Sequence, residues 1–183
     1  MENPVPSSGA FPTSDELDRL PDEACRSALA AIVGHAPGLL IRLAAERPFG
    51  SDEGLMAAAY RIVRELPETD LVELVSARPR DGSSTRAADG DETADDDDGG
   101  AGDAAWIEEE LAGLEEVYQA RFGFPFTVFD AGRPRAQLLP LIEAALRNDR
   151  QAELWRAAAD CVALAEDRLR RSRGAPLGRI EDE

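Results

Sequence analysis

Few side chains of this sequence could exchange a proton near neutral pH. It contains one histidine, His35, and two cysteines, Cys25 and Cys161, which stand far apart and form no CxxC pair. Lysine is absent, because all 20 basic residues are arginine. A single histidine excludes zinc sites built on several histidines, and the lack of lysine excludes Schiff-base chemistry and the phosphate-binding P-loop. His35 is therefore either a proton-transfer residue or an ordinary exposed histidine at a helix start.

Arginine supplies the other candidate chemistry, in two Arg-Pro-Arg runs at residues 78–80 and 133–135. A guanidinium group binds a carboxylate through two parallel hydrogen bonds, so these runs could hold an anionic ligand. The alternative is that they are solvated loop charges that offset an acidic surface.

An acidic segment interrupts the chain at residues 81–105. It contains nine acidic residues, one arginine and no large apolar side chain, which gives it a charge of −8. A calcium-binding EF-hand loop needs glycine at its sixth position and glutamate at its twelfth, and the registers that begin at Asp89 and Asp95 do not meet this pattern. The composition predicts a disordered, solvated loop without a metal.

Length and charge restrict the class of protein. The chain has 183 residues, with 37 acidic against 20 basic, a net charge of −17 and a pI near 4.4. Such a charge argues against a nucleic-acid-binding protein and against docking on an anionic membrane. No run of about 18 apolar residues and no signal-peptide pattern is visible, which favours a cytoplasmic protein. We predict one domain over residues 14–173, with flexible tails at 1–13 and 174–183.

Helix signals recur along the chain and predict an all-α fold, a compact multi-helix bundle with the acidic loop as an insertion. The strongest helix is predicted from seven apolar residues at helical spacing, and Gly123 suits its C-terminal cap. The apolar run at 124–129 contains proline, so we expect a buried extended segment there. The predicted helix starts are Thr13 with a capping box to Glu16, Pro21, Ser51, Thr69, a site near Pro140, and Asn148 or Asp149. The apolar stripe comprises Trp106, Ile107, Leu111, Leu114, Val117, Tyr118 and Phe122.

The sequence from Leu114 to Phe126, LEEVYQARFGFPF, carries a family resemblance. It resembles the pattern LNxxYxxRFGFPF of the decarboxylases of 2-oxo-4-hydroxy-4-carboxy-5-ureidoimidazoline (OHCU), in which an extended segment and a Gly-Arg turn follow. Here the turn is Gly132-Arg133. Weaker matches in the same order extend the likeness over residues 15 to 173, except for the acidic insertion. They lie at 47–49, 70–80, 147–149 and 165–169.

The resemblance implies a helical bundle and a cofactor-free carbon–carbon lyase of urate degradation. Members of this family remove CO2 from a small ureidoimidazoline anion and protonate the resulting carbanion on one face, which gives (S)-allantoin. A histidine in the sequence HP transfers the proton, and a glutamate in the sequence SxxEQ holds the substrate. Members are commonly dimers, so the resemblance is compatible with a homodimer.

Both chemical positions of the family differ in this chain. Arg78 precedes Pro79 where the family has histidine, and the sequence SxxEQ does not occur. The candidate catalytic residues are therefore Arg78, by position, and His35, as a displaced alternative. Phe126 and Arg133 are the candidate substrate-binding residues. In the family the positions of Arg78 and Arg133 face each other across the pocket, so the resemblance predicts that these two arginines converge on one anion beside Phe126. Two functions remain open, a decarboxylase with an altered site and a non-catalytic relative that binds a small anion or another protein.

Overall fold

Helices form the regular structure of the described residues, which are 11–77 and 100–174 of a computed structural model. No strand occurs within these two ranges, and the predicted all-α fold is confirmed. The elements in chain order are α1 (Ser14–Arg19), α2 (Asp22–Val33), α3 (Pro37–Ala45), α4 (Asp52–Val63), α5 (Glu68–Ser76), α6 (Gly100–Phe122), a 3-10 turn (Arg135–Leu138), α7 (Leu139–Ala145) and α8 (Arg150–Ser172).

Side-chain caps fix several helix starts where the sequence predicts them. Thr13 and Glu16 form the reciprocal capping box of α1. The Ser51 hydroxyl accepts a 3.0 Å hydrogen bond from the backbone N–H of Gly54. Of the two candidates for α8, Asp149 is the cap, since its carboxylate accepts from the backbone of Ala152 at 2.9 Å. Each cap satisfies a backbone donor that the helix itself leaves unpaired.

Two predicted starts are displaced. Pro21 is the residue before the first turn of α2, one position earlier than predicted. The prediction that Thr69 caps a helix is wrong, because α5 begins at Glu68 after Pro67 and Thr69 lies inside its first turn. The fixed φ of a proline directs the chain into a helix without any side-chain cap, which explains why the hydroxyl is not needed.

The long helix α8 lies at the centre of the bundle. It packs against α2, α4 and α5. The helix α3 also packs against these three helices. The core face of α8 is fully buried and made of small and branched apolar residues. They are Leu154, Ala157, Ala158, Val162, Ala165 and Leu169. The small residues let the neighbouring helices approach α8 closely. The polar residues of α8 lie on the sides of the helix next to this core face.

The helix α6 is less buried than its apolar stripe predicts. Leu111, Tyr118 and Phe122 are buried, but Trp106 is 58% and Val117 55% exposed. These last two residues therefore share the helical spacing of the stripe without belonging to the buried face of the helix. The reason is that α6 packs mainly on α7 and the 3-10 turn, along one narrow side.

The predicted acidic loop overlaps the start of α6. This helix begins at Gly100, so the last residues of the segment 81–105 are helical. Residues 78–99 lie outside the described ranges, and the disordered loop remains a prediction for them.

The end of α6 leads into the apolar run at 124–129, for which the sequence predicts a buried extended segment. Only Phe124 is buried and residues 125–129 are partly buried, so the predicted burial is wrong for most of the run. Gly123 follows the helix with a φ of +81°, a left-handed conformation that glycine adopts without strain. Residues 125–130 then form neither helix nor strand.

Pro140 lies in the first turn of α7, as its position in the sequence required. Within residues 11–77 and 100–174, none of the helices has the length and apolarity needed to cross a bilayer.

Candidate functional site

Four aromatic rings gather where α6 ends and the extended segment begins. The Tyr118 ring lies 4.7 Å from that of Phe122, 5.8 Å from that of Phe124 and 5.1 Å from that of Phe126, measured between centroids. The contacts with the last two rings are edge-to-face, an arrangement that aromatic pairs favour. Phe126 is partly buried, whereas Tyr118, Phe122 and Phe124 are buried.

A buried carboxylate lies directly beneath these rings. Glu153 of α8 is 0% exposed. Its oxygens accept hydrogen bonds from the Tyr118 hydroxyl at 2.6 Å, the Asn148 amide at 2.8 Å and Nε of Arg156 at 2.8 Å. Burial by itself raises the pKa of Glu153, but the donors, Arg156 first, outweigh it and leave the pKa below its usual range. Burial, with the adjacent carboxylate, raises the pKa of Tyr118, so this phenol stays a hydrogen-bond donor.

The guanidinium group of Arg156 links this carboxylate to the extended segment. Nη1 donates to Asp160 at 2.6 Å, Nη2 donates to the carbonyl oxygen of Thr127 at 2.9 Å, and the group lies 5.5 Å from the centroid of the Phe126 ring. Burial raises the pKa of Asp160, and the charge of Arg156 offsets only part of this effect. We call Tyr118, Glu153, Arg156, Asp160 and Phe126 the aromatic–ionic cluster.

The charged half of this cluster is not among the candidate residues that the sequence predicts. Glu153, Arg156 and Asp160 look like the solvated face of a helix, since charged residues recur all along α8. The available signal was the spacing i, i+3 and i+7, which places the three side chains on one side of a helix. That spacing does not reveal that this side faces the Phe126 segment.

The second candidate region is the corner between α2 and α3, formed by Gly34, His35 and Ala36. Gly34 has a φ of +93°, and a Cβ atom there would lie 3.1 Å from the carbonyl oxygen of Ala77. The corner therefore packs tightly against the end of α5. His35 is exposed within it. The backbone that carries His35 thus adjoins the residue that precedes Arg78, and Arg78 itself lies outside the described residues.

Helix α8 supports this corner as well. Nη1 of Arg168 donates to the carbonyl oxygen of Ile32 at 2.8 Å, at the end of α2. About two turns earlier on α8, the Cys161 sulfur lies 3.9 Å from the carbonyl oxygen of Leu74 in α5. Burial raises the pKa of the Cys161 thiol to about 12, so this cysteine is protonated at neutral pH and is a poor nucleophile.

The arginine run at 133–135 lies on the surface. Arg133 is exposed in a turn whose Asp130 carboxylate accepts from the backbone N–H of Gly132 at 3.1 Å. Arg135 forms a two-bond ion pair with Glu108 at 2.7 Å, which matches the interpretation of this residue as a loop charge. The convergence of Arg133 with Arg78 involves a residue outside the described ranges and remains a prediction. Within those ranges no three residues that could ligate a metal come together.

Comparison with known proteins places this architecture in one family. The family model for OHCU decarboxylase matches residues 18–170. The uric acid degradation bifunctional protein PucL of Bacillus subtilis is 28% identical over 158 residues, which cover 86% of this chain and 32% of that protein. The 2-oxo-4-hydroxy-4-carboxy-5-ureidoimidazoline decarboxylase of Haloferax volcanii is 26% identical over 157 residues, which cover 86% of this chain and 94% of that protein.

Solved structures share the fold. The crystal structure of (S)-allantoin synthase superposes with a TM-score of 0.61 at 18% identity, over 88% of this chain and 54% of that one. The crystal structure of OHCU decarboxylase in the presence of (S)-allantoin gives a TM-score of 0.61 at 21% identity, over 83% of this chain and 97% of that one. The chain spans about a third of PucL and about half of the synthase. Because the family model matches most of its length, the chain belongs to the OHCU decarboxylase family.

Proposed function

We propose that this protein is a weakly active OHCU decarboxylase, which converts OHCU to (S)-allantoin and CO2 in urate degradation. The observation that carries the proposal is the family fold with its Phe126 segment held against α8 by Arg156. In this proposal the exposed side of Phe126 forms an apolar wall for the ureidoimidazoline ring, and Arg133 attracts the substrate's carboxylate.

The chemistry explains why the activity should be weak. Loss of CO2 breaks a carbon–carbon bond and leaves its electron pair on the ring carbon, which must then receive a proton on one face. Arg78 stands where the family has its proton-transferring histidine, and a guanidinium group with a pKa above 12 cannot exchange a proton near pH 7. Its charge can still stabilise the developing carbanion. His35 is the alternative proton donor, because its corner packs against Ala77.

A decarboxylation assay on freshly generated OHCU tests the proposal. We expect (S)-allantoin to form faster than by spontaneous decay of OHCU. The rate should be about 10² to 10⁴ times lower than that of a family member whose sequence contains the histidine of the HP motif. Circular dichroism of the product measures both the rate and the handedness. A rate within tenfold of that relative would contradict a weakened site, and His35→Asn would then be the first variant to examine.

A non-catalytic role is the second candidate, favoured by the absence of both the histidine before Pro79 and the SxxEQ sequence. In this role the protein keeps the bundle and binds a small anion or another protein. Saturable binding of (S)-allantoin without any acceleration of OHCU decay would support it over the decarboxylase.

The remaining properties follow from the family resemblance and the charge. We propose a cytoplasmic enzyme that needs no cofactor and that binds neither nucleic acid nor membranes, in keeping with its net charge of −17. A homodimer is also part of the proposal. The exposed side chains of Trp106 and Val117 lie on one face of α6 and provide apolar surface for a second copy.

A further inference from the structure

One guanidinium group joins α8 to the extended segment that follows α6. Arg156 donates to Glu153, to Asp160 and to the carbonyl oxygen of Thr127, and it lies over the ring of Phe126. About 29% of the Arg156 side chain is exposed, against none of Glu153. These contacts use different edges of the planar group, so they fix its orientation as well as its position.

The contacts fall into two kinds with different chemical needs. Glu153 is a fully buried carboxylate and needs a nearby positive charge, which a lysine could also provide. The Thr127 carbonyl needs a hydrogen-bond donor, and the Phe126 ring needs a flat cation over its face. One side chain must meet both needs while it still contacts the carboxylates of Glu153 and Asp160. A lysine ammonium is a compact point charge and cannot span all four partners from one position.

The segment has a particular need for such an anchor. Residues 125–130 lie in neither a helix nor a strand, so no regular ladder of backbone hydrogen bonds sets their path. The Arg156–Thr127 hydrogen bond ties the middle of this segment to the central helix of the bundle. A charge-assisted hydrogen bond of this kind is among the stronger ones in proteins.

We propose that Arg156 is a positioning residue, whose guanidinium group sets the place of the Thr127 carbonyl and the Phe126 ring and thereby the affinity of the site for its substrate. The affinity part rests on the proposed function, since it takes Phe126 as a wall of the substrate site. The positioning part rests on the contacts alone. Arg156 is not expected to touch the substrate, because its donors are directed at protein groups.

Two measurements on the full chain test this inference, with Arg156→Lys as the variant. We expect amide hydrogen exchange of residues 127–129 to rise by about tenfold to a hundredfold, and KM for OHCU to rise by a similar factor with a smaller change in kcat. The thermal midpoint should fall little, because lysine still compensates Glu153. The matched control is Arg170→Lys, which alters another ion pair of α8, with Glu166, on the exposed surface. It should change none of these quantities.

The outcomes separate the possible failures. Unchanged exchange and unchanged KM in Arg156→Lys would show that Arg156 only neutralises Glu153, and the inference would be overturned. If the wild type does not accelerate OHCU decay, the proposed function fails, while the exchange measurement still decides whether Arg156 positions the segment. If Arg156→Lys does not fold, the double variant Glu153→Gln with Arg156→Gln removes both charges together. It should show the same faster amide exchange at residues 127–129. Exchange at the wild-type rate there would refute the inference.

Discussion

The aromatic–ionic cluster and the corner between α2 and α3 both rest on α8, but they are built in different ways. In the cluster, the buried carboxylate of Glu153 has three donors, and its arginine reaches two further partners. At the corner, Gly34 lies in close contact with Ala77, and Arg168 donates a hydrogen bond to the carbonyl oxygen of Ile32. The cluster is thus densely supported by hydrogen bonds, whereas the corner presents an exposed histidine.

This difference has a physical consequence. A buried charge must keep its partners, because an unpaired carboxylate in the core costs several kcal/mol. An exposed side chain on a tight turn can change at little cost to stability. The two regions should therefore respond differently to mutation.

The largest expected effect comes from restoring the family residue near the corner. Arg78→His places an imidazole where the resemblance locates proton transfer, so the rate of OHCU decarboxylation should rise by about 10² to 10⁴. Initial rates of (S)-allantoin formation measure this change. The control is Arg80→His, two residues further along, which should leave the rate unchanged. A rise of less than threefold in Arg78→His would argue that the site lacks more than its proton donor.

In the cluster, the expected effect is on stability. Glu153→Ala leaves the half-buried guanidinium group of Arg156 without its main partner, and the free energy of unfolding should fall by about 3 kcal/mol. Urea denaturation measures it. Glu166→Ala, which breaks an exposed ion pair with Arg170 on the same helix, should cost less than about 1 kcal/mol. Equal losses in the two variants would contradict the contrast drawn between buried and exposed pairs.

The smallest expected effect tests how tightly the corner is packed. Gly34→Ala must adopt a φ of +93° and places its methyl group 3.1 Å from the Ala77 carbonyl oxygen, so it should destabilise the fold by about 2–3 kcal/mol. Gly132→Ala shares a positive φ, +77°, but has nothing within 4 Å, and should cost only about 1 kcal/mol. Thermal unfolding compares the two. If they lose the same amount, the contact between the corner and α5 contributes nothing beyond backbone strain.

Much of the helical framework could be predicted because its signals are local. The Thr13–Glu16 capping box, the Ser51 cap and the Gly123 terminus each depend on hydrogen bonds or dihedral angles within about four residues. The extended segment after Gly123 was also predictable, since a short apolar run with a proline cannot continue a helix. The family resemblance came from this same stretch of the chain, where helix end and extended segment follow one another.

What the sequence alone determined, then, is where helices begin and end and which family pattern they carry. Only the tertiary structure decided that Trp106 and Val117 face outward, that Glu153 is buried, and that Arg156 reaches the Thr127 carbonyl. The physical reason is that helical periodicity shows which residues share a face but not which neighbour that face meets. Burial of a charge depends on partners far along the chain. Tyr118 and Glu153 are 35 positions apart in the sequence, and they meet only when α6 and α8 come together in the folded protein.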